Sequence, residues 1–236
     1  MPIVVKICLS DLSRHYDTPA GRVVAVDRIT VSIASGERVA LTGPSGCGKS
    51  TLLHLIAGLE KPSSGRVLVD GVDLARLGGR RLYAHRRRSI GFVFQNDNLL
   101  PFLTAGENVA LRLALARRAD PATAVTVKDL LGALDLGGFV DQLPDRMSGG
   151  QRQRVAIAAA LVHRPGLVLA DEPTASLDAS TSGSAVDLLL AGDRETNATL
   201  VIATHDRAVA ARFDRIIELR DGRVVSTSSD RTHGAP

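Results

Sequence analysis

Gly43-Pro44-Ser45-Gly46-Cys47-Gly48-Lys49-Ser50 carries glycines, a lysine and a hydroxyl at the spacing G-x-x-x-x-G-K-[ST]. Glycines at these positions let successive backbone N–H groups curl toward one anion. A helix opening at the end of this turn adds the partial positive charge of its N-terminus. Lys49 then reaches the β- and γ-phosphates, and the Ser50 hydroxyl ligates Mg²⁺. Cys47 stands at a variable position of the pattern, a small residue that fits. The chemistry of this segment is triphosphate binding.

Two further segments carry groups that act on a phosphate. Leu167-Val168-Leu169-Ala170-Asp171-Glu172-Pro173 sets two carboxylates at the end of an apolar run. Asp171 is placed to hold Mg²⁺ directly or through water, and Glu172 to polarise an attacking water. Alone, the same segment also reads as a solvated acidic turn. Met147-Ser148-Gly149-Gly150-Gln151 precedes an apolar-sided helix over 152–163. Its helix start attracts anions without a lysine, and Ser148 both caps the helix and bonds a phosphate oxygen. Alone, it also reads as a plain Ser-capped helix. Two phosphate-seeking helix ends and one complete nucleotide loop are used most economically on one nucleotide shared by two copies of the chain.

The elements that position these groups follow from periodicity. Short strands are expected at Val4–Leu9, Arg22–Val26 and Ile29–Ile33, the last with the alternation of an antiparallel, half-buried strand. Arg38–Thr42 is a strand entering the glycine-rich turn, and Ser50–Leu59 a helix ended by Gly58 and Lys61-Pro62. Gly65–Asp70 is a strand closed by Asp70-Gly71. Between Leu99 and Leu136, apolar residues recur near every 3.6 positions, which predicts a helical lobe. Leu167–Ala170 and Thr199–Ala203 are wholly apolar strands, the mark of a parallel sheet covered on both faces. The sequence therefore predicts an α/β fold with a mostly parallel sheet, an N-terminal antiparallel β subdomain and an inserted α-helical subdomain. A single domain over 1–236 is expected, with 1–95 and 152–236 forming the α/β core and 96–151 the helical subdomain.

Composition narrows the function classes. The chain has 236 residues, 44% hydrophobic and 23% charged, an ordinary balance for a folded domain with its own core. Aromatics make up 3% and Trp is absent, which argues against a base-stacking single-strand binder. The net charge of +4 is small and spread along the chain, so nucleic acid is not an expected partner. No apolar stretch approaches the roughly 18 residues of a membrane span. Cys8 and Cys47 fit neither a disulfide framework nor a metal-ligand spacing, as expected of a reducing cytosol. Arg80, Arg81, Arg86, Arg87 and Arg88 form a basic cluster, read either as a solvated helical face or as a contact for anionic lipid headgroups.

The chain resembles the nucleotide-binding subunit of an ATP-binding cassette (ABC) transporter over nearly its whole length. Gly43–Ser50 matches the Walker A motif and Asp171-Glu172 the Walker B motif. Ser148-Gly149-Gly150-Gln151 matches the signature motif, which is peculiar to ABC ATPases. Gln95 matches the Q-loop, Ser176-Leu177-Asp178 the D-loop, His205 the switch histidine, and Tyr16 the aromatic that stacks on adenine. Met147 stands where Leu is usual and Ala159 where Arg is usual. The runs Phe94–Pro101 and Leu103–Val109 are similar to the lipoprotein-release and macrolide-export group, whose partners are permeases with few membrane helices.

The resemblance implies an ATPase with ATP and Mg²⁺ as ligands. Tyr16, Gly43, Pro44, Ser45, Gly46, Cys47, Gly48, Lys49, Ser50, Thr51 and Gln95 would hold ATP, and Ser148, Gly149, Gly150 and Gln151 would complete the site from a second chain. Ser50, Gln95 and Asp171 would hold Mg²⁺. Glu172, His205 and Lys49 would carry the catalysis, and Asp178 would communicate across the dimer. ATP would close a homodimer that drives an integral membrane permease, with the protein peripheral on the cytoplasmic face of the membrane. The alternative is a soluble ABC-type ATPase of DNA repair or translation. Repair ATPases need long coiled-coil arms, for which the stretch between Lys49 and Ser148 is too short. Translation factors carry two cassettes in one chain, and this chain has one.

Overall fold

The computed structural model describes residues 4–116, 127–175 and 179–229. The chain divides into two compact units, 1–82 with 199–236, and 83–198.

The first unit opens with two long strands, β1 (Val5–Thr18) and β2 (Gly21–Ala34), paired antiparallel. The sequence reading expects short, separate strands here. The breaks it detects are irregularities inside continuous strands: register shifts fall between Leu9 and Leu12 and between Arg14 and His15. Asp11 and Arg28 take left-handed backbone angles, φ 46° and 48°. Hydroxyls satisfy their displaced amides, with Asp11 N donating to Thr30 Oγ1 at 3.0 Å and Arg28 N to Ser13 Oγ at 2.9 Å. Bulges of this kind twist a strand without ending it.

β3 (Arg38–Thr42) leads into helix α1 (Lys49–Ile56). β4 (Ser64–Val69) and the short β5 (Val72–Asp73) extend the first sheet, in the order β2-β1-β4-β5. α2 (Gly79–Ser89), whose residues from Tyr83 on belong to the second unit, buries no residue, in keeping with its arginines, and the Arg87 guanidinium lies 5.6 Å from the Tyr83 ring centroid. Late in the chain come β8 (Thr199–Ala203), β9 (Arg215–Arg220) and β10 (Arg223–Ser229). β3 pairs parallel with both β8 and β9, and β9 with β10 forms an antiparallel hairpin. Val39, Ala40 and Leu41 of β3 are buried, as a strand covered on both faces requires.

In the second unit, β6 (Ile90–Val93) pairs parallel with β7 (Leu167–Asp171). Every residue of β7 is buried. Each large apolar side chain there contributes about 1.5–3 kcal/mol by burial. The helical lobe contains α3 (Ala105–Ala116) and α4 (Val127–Ala133), and α5 (Gly149–Leu161) packs against them. Residues 117–126, within the expected lobe, lie outside the described residues. Val109, Leu131, Leu136, Met147, Val155 and Ala159 share one apolar cluster. Met147 and Ala159 therefore act as core residues: the thioether fills the leucine's place and the methyl needs no polar partner. Close approach of α5 to β6 depends on Gly91, where a Cβ would meet Ala160 O at 2.3 Å. α6 (Ala179–Thr196) follows β7, and among the described residues no helix is long and apolar enough to cross a membrane.

Candidate functional site

The expected site residues divide between the two units. Tyr16, Gly43–Thr51 and His205 belong to the first, and Gln95, Ser148–Gln151, Asp171 and Glu172 to the second. Asp178, with Ser176 and Leu177, lies outside the described residues.

In the first unit, the turn between β3 and α1 is held by its own lysine. Lys49 Nζ donates to Gly43 O at 2.8 Å and to Pro44 O at 3.1 Å, and Lys49 is buried. The ammonium thus sits within the curl of the loop. No side chain caps α1, whose N-cap is Gly48. Such a helix start leaves its first amides to a ligand. Two glycines are dictated by close packing. A Cβ on Gly43 would meet Leu219 O at 2.1 Å, and one on Gly48 would meet Ala25 O at 2.1 Å, with φ at 140° and 103°. The β9–β10 turn braces the loop further: Gly222 N donates to Cys47 O at 3.1 Å, and Asp27 N to Gly222 O at 2.8 Å. Arg223 and Arg28 flank the Asp27 carboxylate and hold its pKa below the usual value, the Arg223 hydrogen bond contributing most.

His205 leaves the same sheet edge. Leu41 of β3 pairs with Ala203 of β8, so the phosphate loop and His205 each begin two residues beyond one pair. Thr204 N donates to Leu41 O at 3.0 Å, and Thr204 is fully buried. Asp206 caps the short helix α7 (Arg207–Ala210) through Ala208 N at 2.7 Å. His205 is fixed between a buried threonine and this capped turn, with its own side chain exposed.

The second unit repeats the geometry. Val93 of β6 pairs with Ala170 of β7, so Gln95 and Glu172 each stand two residues beyond a shared pair. Ligands collect at this carboxyl edge of parallel strands. Asp171 and Glu172 are both buried, and Glu172 takes φ 45°, a strained backbone for a non-glycine residue. Ser148 and Gln151 form a reciprocal capping box: Gln151 N donates to Ser148 Oγ at 3.2 Å, and Ser148 N to Gln151 Oε1 at 2.7 Å. Arg152 ties this helix start to the segment after Gln95. Its Nε donates to Asp97 Oδ2 at 2.7 Å and its Nη1 to Met147 O at 2.7 Å.

Neither Asp97 nor Arg152 was singled out by sequence reasoning, since nothing local marks a pair 55 positions apart. The same holds for Glu60 and Arg14, which surround Tyr16. The Tyr16 hydroxyl donates to Glu60 Oε2 at 2.5 Å, and the Arg14 pKa is raised, first by its contact with Tyr16.

Comparison with known proteins identifies the family. Residues 26–175 match the family model described as ABC transporter. The chain is 44% identical over 213 residues to the lipoprotein-releasing system ATP-binding protein LolD of Bordetella pertussis, covering 90% of this chain and 92% of that protein. It is 42% identical to the protein of the same name in Xanthomonas oryzae pv. oryzae, covering 90% and 87%. Among solved structures, an ATP-binding cassette dimer in a post-hydrolysis state with ADP and Pi superposes with a TM-score of 0.88 at 38% identity, covering 95% of this chain and 99% of that one. A second dimeric structure, a bacterial ABC transporter cassette, gives the same TM-score at 39% identity.

Proposed function

The chain belongs to the ABC transporter family, and from that premise we propose that two copies clamp two ATP molecules head to tail to drive a lipoprotein-release or macrolide-export type permease. That it is an ATP-binding and ATP-hydrolysing subunit working with a membrane permease follows from its relatives, and transport takes precedence over repair or translation. The single observation that supports the clamp is the turn of Gly43–Gly48, with Lys49 drawn into it and no side chain at the cap of α1.

In this reading Tyr16 stacks on the adenine, while residues Gly43–Thr51 take the phosphates, with Lys49 on the β- and γ-phosphates. The partner copy presents its own signature turn, residues 148–151, to the same nucleotide. Glu172 orients or deprotonates the attacking water from the end of a buried strand. His205 contacts the γ-phosphate and stabilises charge in the transition state. Gln95 reports the nucleotide to the helical subdomain, residues 96–151, whose stretch around Asn96–Val109 grips the permease, and Asp178 communicates between copies. The hydroxyl of Ser50, the amide of Gln95 and the carboxylate of Asp171 are the hard oxygen donors that Mg²⁺ prefers. Bound there, Mg²⁺ neutralises charge on the phosphates. Closure is a population shift, since ATP touches both copies only in the closed dimer. The protein works at the cytoplasmic face of the membrane through its permease.

Glu172→Gln with ATP and Mg²⁺ tests this. The expected result is loss of turnover and a stable dimer on size-exclusion chromatography. Turnover at the wild-type rate removes Glu172 from the water.

A further inference from the structure

Tyr16 is held more firmly than a surface aromatic needs to be. Its hydroxyl donates to Glu60 Oε2 at 2.5 Å, and Arg14 Nε donates to the same oxygen at 3.2 Å. The Arg14 guanidinium carbon lies 4.5 Å from the centre of the Tyr16 ring, covering one of its faces. His54 Nδ1 stands 3.5 Å from the other Glu60 oxygen. One carboxylate thus gathers three side chains.

Glu60 is itself anchored to the phosphate-loop helix. His54 lies in the last turn of α1, and its carbonyl accepts from Leu59 N at 2.9 Å and from Glu60 N at 3.3 Å. The helix that begins at Lys49 is therefore tied, through the His54 carbonyl in its last turn, to the residue that holds the Tyr16 hydroxyl. A second route runs through β2. Tyr16 pairs with Val23, which is 53% exposed beside it, and two residues on, Ala25 O packs against Gly48. A helix and a strand connect the ring to the loop.

We infer that Glu60 is a positioning residue for the Tyr16 ring, setting it at a fixed place relative to the phosphate loop, with Arg14 backing one face so that a planar purine base takes the other. The inference rests on the reading of Tyr16 as the adenine platform. A ring already locked loses little conformational freedom when the base arrives, whereas an unlocked ring must be ordered by the ligand. The benefit of Glu60 falls on ligands that carry a base, and the triphosphate alone gains nothing from it.

The test uses the full chain with Mg²⁺ and four variants: Glu60→Ala, Glu60→Gln, Tyr16→Phe and Tyr16→Ala. ATP hydrolysis gives KM and kcat, and inorganic tripolyphosphate gives an inhibition constant free of any base. For Glu60→Ala the expected result is a three- to tenfold rise in KM for ATP, with kcat within twofold and the tripolyphosphate constant unchanged. Glu60→Gln keeps an acceptor for the hydroxyl and recovers most of the loss. Tyr16→Phe keeps the ring, cuts its anchor and shifts KM in the same direction. If Tyr16→Ala raises KM while Glu60→Ala and Tyr16→Phe do not, the positioning role falls and the stacking role stands. If Tyr16→Ala leaves KM unchanged, the stacking role falls and this inference with it. If Glu60→Ala weakens ATP and tripolyphosphate equally, Glu60 supports the loop as a whole, and the inference is overturned.

Discussion

Arg152 and Asp97 join the start of the signature helix to the segment that follows Gln95, through a charge-assisted bond of 2.7 Å. In the proposed function, Gln95 senses the nucleotide held in its own chain, and residues 148–151 reach the nucleotide of the partner copy. The ion pair ties those two segments to each other. Both side chains are partly exposed, so its stabilising value is modest, about 0.5–1 kcal/mol. A double-mutant cycle of Asp97→Ala and Arg152→Ala is expected to show coupling of that size in urea unfolding. ATP-driven dimerisation should fall in each single variant. Additive effects on both readouts would dissolve the link.

The phosphate loop should weaken sharply when its lysine is removed. Lys49→Ala is expected to lose at least tenfold in ATP affinity by calorimetry, about 1.4 kcal/mol. The loss comes from the missing ammonium and from the loop carbonyls of Gly43 and Pro44 that it now organises. Unchanged ATP binding would contradict the assignment of this turn.

Glycines in that turn should not be equivalent. A Cβ at Gly48 collides with Ala25 O, whereas a Cβ at Gly46 meets nothing within 4 Å and suffers only from φ 77°. Gly46→Ala is expected to cost about 1 kcal/mol for the left-handed backbone. Gly48→Ala adds the backbone collision and should cost more than about 2 kcal/mol. Urea unfolding checks the order, and equal costs would mean that β2 yields to the new methyl.

Asp27 should make the β2–β10 junction sensitive to acid. Its carboxyl is depressed below the ordinary value of 3.8 by Arg223 and then Arg28. A depressed carboxyl stabilises the fold above the ordinary value and loses that contribution as pH falls through the folded one. Asp27→Asn should therefore be less stable than the wild type at pH 7, with the difference shrinking toward pH 3. Comparing urea midpoints at the two pH values measures this. A difference at pH 3 as large as that at pH 7 would assign it to the neighbouring backbone bonds and not to charge.

Local chemistry was enough to read the motifs from the amino-acid order. Gly43–Ser50 is a run of consecutive residues, so its glycines, lysine and hydroxyl identify themselves by spacing. The apolar runs Leu167–Ala170 and Leu200–Ala203 announce buried parallel strands, because a strand covered on both faces carries apolar residues in a row and not in alternation. Ser148 and Gln151 cap one helix start across three residues, again a local relation. The continuity of β1 and β2 was not legible, since a bulge and a strand end look alike until the partner strand supplies Thr30 and Ser13 to the displaced amides. Glu60 beside Tyr16 and Asp97 beside Arg152 were hidden for the same reason. Each is a charged residue in a polar stretch, and its meaning lies in which distant side chain the packed backbone brings within about 3 Å.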